Sequence, residues 1–199
     1  MIKDFIKPFT RKSALLRMVV LMGVYLLFAL PFSSMEFIPG LTNLRPVTAL
    51  IPIFGIFFGP AGAWSYACGN LAYDALSGNL VISSIGGFIG NFLAVSVFWV
   101  LSSKFSKDDC VVGCLRSLLL FALASILASL VVSASVTFWV AFFLEGVDAW
   151  SVGLSIFAND LFFFCMPGIG LCILLSTEFN MEPYLPSDFN NSSQLKASA

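Results

Sequence analysis

Arg45-Pro46-Val-Thr-Ala-Leu-Ile-Pro52-Ile-Phe-Gly55-Ile-Phe-Phe-Gly59-Pro60-Ala-Gly62-Ala-Trp64, running on to Gly69-Asn70-Leu-Ala-Tyr-Asp74, is the stretch on which the fold turns. Pro46 suits the first turn of a helix, where its missing N–H is not needed. The apolar core of 46–59 covers only about 18 Å as a helix, short against roughly 30 Å of membrane hydrocarbon. Gly59-Pro60-Ala-Gly62 then reads as a tight turn. A further helix is expected over 61–76, stopped by Ser77-Gly78-Asn79. The stretch therefore predicts two helices back to back, the first a short one.

Working outward, apolar segments at 14–32, 80–101, 111–144 and 150–175 complete a six-helix transmembrane bundle, an all-α membrane protein. The segment 1–13 is basic and expected to be cytoplasmic. Although it resembles the start of a signal peptide, the length of the run after it and the later spans argue against cleavage. Segment 111–144 is longer than a bilayer requires, so it should tilt, kink or project. Segment 150–175 holds Pro167, which predicts a kink. The membrane domain is thus 14–176, and 177–199 reads as an exposed, disordered cytoplasmic tail.

Composition agrees. The 199 residues are 59% hydrophobic and only 11% charged, against about 25% charged in soluble domains, and the mean hydropathy is +0.96. A net charge of −1 offers no basic face for nucleic acid. Histidine is absent, which removes imidazole ligands, Ser-His and Cys-His pairs and histidine proton relays. No GxxxxGK[ST] loop is present, so the chain itself has no nucleotide site of that kind. Cys110 and Cys114 stand four apart, but nothing nearby completes a metal set. No cofactor, metal or catalysis is expected.

Charge asymmetry fixes the expected orientation. With the amino terminus cytoplasmic and six crossings, nine of the ten basic residues fall inside and only Arg45 falls outside. Both termini are then cytoplasmic, and the acidic turn at Glu145 and Asp148 is outside.

The same topology assembles a site. Asn70 and Asp74 lie four apart on one helical face, Asn91 sits part-way along the next helix, and Asn159 and Asp160 lie within the last. Arg45 stands at the outer mouth of the second helix. Charged groups inside a membrane cost several kcal/mol and usually serve a partner or ligand. One guanidinium, two carboxylates and three amides falling in the outer half are the pattern of a pocket entered from outside. Plainer explanations exist: each Asn could bridge helices, and Asp160 could pair with Arg45. Gly55-x3-Gly59 and Ala124-x3-Ala128 read as packing faces. The four tryptophans read as interfacial anchors or packing, and Tyr73 could stack on a flat ligand.

Leu44-Arg45-Pro46-Val-Thr-Ala-Leu-Ile-Pro52 through Gly62, with Gly69-Asn70-Leu-Ala-Tyr-Asp74 after it, resembles the substrate-binding S components of energy-coupling factor transporters. The motif occupies 45–78, while length and helix count match across nearly the whole chain. The resemblance implies capture of a vitamin-like micronutrient from outside, in the plasma membrane of a prokaryote. It implies partners as well: a transmembrane T component and two cytoplasmic ATPases that supply the missing nucleotide site. It also implies a gating loop over the pocket at 33–44, with Glu36 and Asn43. A paired-alanine docking stripe is common in the first helix of that family. Here 14–32 has Gly23 and Ala29 without such a pair, a departure at the docking surface.

The expected function is therefore substrate binding by a membrane subunit. Arg45 attracts a carboxylate, Asp74 and Asp160 meet cationic or donor groups, and Asn70, Asn91 and Asn159 orient the ligand. The alternatives are a scaffold subunit, an ion-coupled solo permease and an intramembrane enzyme using Asp74 and Asp160 as acid and base.

Overall fold

In the computed structural model, residues 2–10, 12–32, 45–102 and 114–184 are described, with the backbone of 36–38 and 42–43. Five helical segments among them are long and apolar enough to cross a membrane: Lys12–Phe32, Pro46–Leu76, Ser83–Ser102, Leu115–Phe143 and Ala149–Thr177. The chain is a multi-pass helical membrane protein. Its helices are α1 (Lys12–Ala29), α2 (Leu50–Leu76, entered through a 3-10 turn at Pro46–Ala49), α3 (Ser83–Ser102), α4 (Leu115–Phe143), α5 (Ala149–Phe163) and α6 (Ile169–Thr177).

Helix α2 doubles back on itself. Gly59 has φ 53° and ψ −130°, a conformation that glycine alone reaches without strain. Pro60 then begins the returning arm, where its fixed φ suits a helix start. The consequence is visible at Tyr66, whose hydroxyl donates to the carbonyl oxygen of Val47 at 3.2 Å. In one straight helix these residues would lie about 28 Å apart. The rings of Phe54 and Tyr66 also meet across the two arms, 5.6 Å between centroids. The expected turn over 59–62 is thus concentrated at Gly59, with arms at 50–58 and 60–76. However deep the hairpin reaches, Arg45 and the loop at 77–82 share one end of the bundle.

The hairpin is the core. Of its most apolar window 83% is buried, against 22% for Lys12–Phe32 and for Ala149–Thr177. Helices adjacent in sequence pack on one another, α1 on α2, α2 on α3, α3 on α4 and α4 on α5. Between membrane helices packing replaces the hydrophobic effect, and here aromatic rings supply much of it. Tyr25 meets Tyr66 edge-on at 4.7 Å, and Phe98 meets Phe121 at 5.4 Å and Phe164 at 5.5 Å. Ala124 and Ala128 are buried, as their spacing predicted. Leu16, Leu27, Leu119, Leu154 and Met166 instead point outward, the apolar exterior that a lipid environment accepts.

Several boundaries differ from expectation. α3 begins at Ser83 rather than 80, because Asn79 N–H folds back onto the carbonyl of Asp74 at 2.9 Å to close α2. The last segment is not one helix: a π-turn at Phe164–Gly168 joins α5 to α6 around Pro167. Proline cannot donate, and the ladder widens there. Of the segment expected to gate the pocket, Glu36–Ile38 and Thr42–Asn43 form a two-stranded antiparallel ribbon beside α5. The side chains of Glu36 and Asn43 lie outside the described residues, as does Cys110. Trp150 is 79% exposed at the start of α5, the place of an interfacial anchor, while Trp99 is fully buried.

The hairpin tip is covered. The indole N–H of Trp64 donates to the carbonyl of Phe5 at 3.0 Å, and the Phe5 ring stands edge-on against Trp99 at 5.2 Å. Residues 178–184 return along the same end, where Tyr184 N–H donates to Ile56 O at 2.7 Å. This bond satisfies a carbonyl that the break at Gly59 takes out of the helical ladder. The expected disordered tail therefore begins as a packed segment; residues 185–199 lie outside the described part.

Candidate functional site

A cavity of about 550 Å³ occupies the other half of the bundle, away from the hairpin tip. Its walls are Tyr25 of α1, Arg45, Val47 and Thr48 ahead of α2, the returning arm of α2, the first half of α3, the last turns of α4 and α5 from Val152 to Asp160, and it reaches the loop residues Gly78, Asn79 and Val147. Arg45, Asn70, Asp74, Asn91, Asn159 and Asp160 all line it. Their depths are graded. Measured along its own helix from the loop end, Asp74 lies about 3 Å in, Asn70 about 9 Å, Asn91 about 12 Å and Asp160 about 16 Å.

Arg45 organises two of these groups at once. One guanidinium nitrogen donates to Asn70 Oδ1 at 3.5 Å, and the Tyr25 hydroxyl donates to the same oxygen at 3.0 Å. Because a guanidinium only donates, the contact identifies the amide's oxygen and turns its nitrogen the other way. The backbone N–H of Arg45 donates to Asn159 Oδ1 at 3.4 Å. Asn159 Nδ2 in turn donates to Asp160 Oδ1 at 3.2 Å. Each chain ends on an atom with no partner: Asn70 Nδ2 and Asp160 Oδ2 are buried and unpaired. Both residues are almost wholly enclosed, at 1% and 2% exposure. Gly87 makes the room for the first, since a Cβ there would sit 3.1 Å from Asn70 Nδ2.

Among the described residues, Arg45 forms no ion pair with either carboxylate. The locking pair of Arg45 with Asp160 that the sequence allowed is not made. Asp160 accepts instead from Asn159 through Oδ1 alone, while the hydroxyl of Thr48 donates to the carbonyl of Arg45 at 2.9 Å. Arg45 stays near enough for its charge to act on both carboxylates. Among the described residues no cluster of three or more His, Cys, Asp or Glu could hold a metal ion.

The cavity also has a face that sequence reasoning missed. Val132, Val136 and Val140 recur every four residues along α4, and Val152 and Ile156 continue the surface onto α5. The i, i+4 spacing was visible, but in a helix apolar on every side it does not stand out. Tyr25, Tyr66, Thr48 and Ser84 were missed too; only a hydroxyl at mid-membrane in α1 hinted at Tyr25. Tyr73, considered for stacking, lines a small side recess next to Phe28 and Pro46 rather than the main cavity.

Fold and site together define a multi-pass helical membrane protein with a partly polar, partly apolar chamber that reaches the loop residues Gly78, Asn79 and Val147. In comparison with known proteins, no family model, no curated protein and no solved structure matches the chain.

Proposed function

We propose that this protein is a substrate-binding membrane subunit that captures a small solute from outside the cell, in the manner of an energy-coupling factor S component. The observation that carries the proposal is the pair of buried, unpartnered polar atoms, Asn70 Nδ2 and Asp160 Oδ2, on the wall of a chamber large enough for a small molecule. A buried donor or acceptor left unmade costs about 1–3 kcal/mol, and pockets of roughly 300–1,000 Å³ are the usual size for small ligands. A scaffold gains nothing by keeping two such groups open, and that favours binding over assembly.

In this proposal both arms of the α2 hairpin cross the membrane, which makes six crossings. The basic residues at 3–17 and at 104–116 then face the cytoplasm, and the chamber opens outward. The ribbon between α1 and α2 acts as its gate. The solute is a vitamin-like micronutrient, and uptake is energised by a T component with two cytoplasmic ATPases. The chain binds and does no chemistry. A solo permease would show uptake that survives removal of cellular ATPase activity.

Native mass spectrometry of the full chain after mild detergent extraction tests the proposal. The expected result is one co-purifying small molecule whose removal lowers the unfolding midpoint and whose return restores it. A chamber that yields no molecule, together with no thermal stabilisation across a broad micronutrient panel, refutes it.

A further inference from the structure

Resting on the proposal that the chamber binds a solute, we infer that its ligand is an amphipathic organic cation, with a protonated nitrogen at Asp160, an acceptor at Asn70 and an apolar body against the α4 valines. Three independent features of the wall lead there.

The first is charge. The charged side chains among the described lining residues are Arg45, Asp74 and Asp160, an excess of one negative charge when both carboxyls are ionised. A guanidinium alone would recruit an anion, but this one donates to Asn70 Oδ1 and shares the cavity lining with two carboxylates. Another negative charge would be repelled there.

The second is the polarity of the open atoms. An ionised carboxylate only accepts, so Asp160 Oδ2 calls for a donor. A cationic N–H supplies a donor and neutralises a charge buried at mid-membrane depth, which makes it the strongest partner available. Asn70 Nδ2 is a donor, fixed in that sense by Tyr25 and Arg45 on its oxygen. It calls for a carbonyl, hydroxyl or ring nitrogen on the ligand.

The third is shape. Val132, Val136 and Val140 offer no polar atom to a ligand, so the part of it lying on α4 is apolar. A polar end on α2 and α5 and an apolar flank on α4 describe an amphipathic molecule.

A charge-matched series tests the assignment on the full chain in detergent: 2-phenylethylamine, 3-phenylpropanamide and 3-phenylpropanoate, which share a ring and a chain length and carry +1, 0 and −1. Calorimetry should rank the amine first, with an advantage over the amide of about tenfold to a hundredfold, and should find no binding of the carboxylate. Asp160→Asn should erase that advantage. The ranking in the unaltered protein decides the matter even if this variant does not fold. A carboxylate or amide that binds as well as the amine overturns the assignment, and so does a ranking unchanged by Asp160→Asn. If no probe binds, the molecule carried through purification decides. A cation upholds the assignment, a neutral or anionic molecule overturns it while solute binding stands, and an empty chamber overturns both.

Discussion

Replacing Gly59 with alanine should destabilise the hairpin on which the chamber is built. The backbone there, at φ 53° and ψ −130°, costs an L-residue about 1–3 kcal/mol. The new Cβ would also lie 2.5 Å from the Tyr184 ring and 3.1 Å from Trp99 Nε1. Tyr184 must then withdraw, and its bond to Ile56 O goes with it, a further loss of about 0.5–1.5 kcal/mol. The sum is about 1.5–4.5 kcal/mol, a large part of the 5–15 kcal/mol that ordinarily separates folded from unfolded chains. Gly23→Ala is the matched control. Nothing lies within 4 Å of a Cβ at that position in α1, and alanine there favours the helix by about 0.5–1 kcal/mol. Thermal unfolding in detergent, followed by tryptophan fluorescence, should show Gly59→Ala melting well below the unaltered protein and Gly23→Ala at or above it. Equal midpoints for the two variants would refute the folded-back reading of 46–76.

Three other outcomes are expected. Asn70→Asp keeps an oxygen for Tyr25 and Arg45 but turns the ligand-facing donor into an acceptor. It should retain most of the stability that Asn70→Ala loses, yet weaken ligand binding by about 1–3 kcal/mol in titration calorimetry; equal stability losses in both variants would argue against the network. In a background freed of native cysteines, single cysteines at Asn79 and Val147 should react with an impermeant maleimide added to intact cells, and one at position 114 should not. The reverse pattern inverts the proposed orientation. Asp148 caps α5, and hydrogen bonds from the Ser151 hydroxyl, the Ser151 N–H and the Trp150 N–H hold its carboxyl below its usual range. Its stabilisation is complete above the unfolded value of about 3.9 and is lost as pH falls through the lower folded value. Melting curves from pH 7 to pH 3 should therefore show less acid loss for Asp148→Asn than for the unaltered chain.

Much of the site could be read in the sequence because it consists of contrasts. Asp74 and Asp160 among leucines and phenylalanines, each with an asparagine at hand, stand out against an apolar background, and both line the same cavity. Gly59-Pro60 was legible for the same reason. What could not be read had no contrast. The valine face of α4 is one apolar stripe on a helix apolar all round, so periodicity does not single it out. Arg45 was assigned by its charge alone; that its backbone N–H holds Asn159 while its side chain holds Asn70 follows only from the hairpin bringing position 45 back beside position 70. The packing of residues 2–9 and 178–184 against the tip depends on contacts far apart in sequence, which no local pattern carries.

Covering the hairpin tip has a bearing on the proposed uptake. With Phe5, Trp64, Trp99 and Tyr184 gathered around Gly59, a molecule seated beside Asp160 as proposed would find its way barred toward that side and clear only by the route of entry. Delivery across the bilayer would then need either those aromatic groups to part or the whole subunit to reorient with its cargo still enclosed.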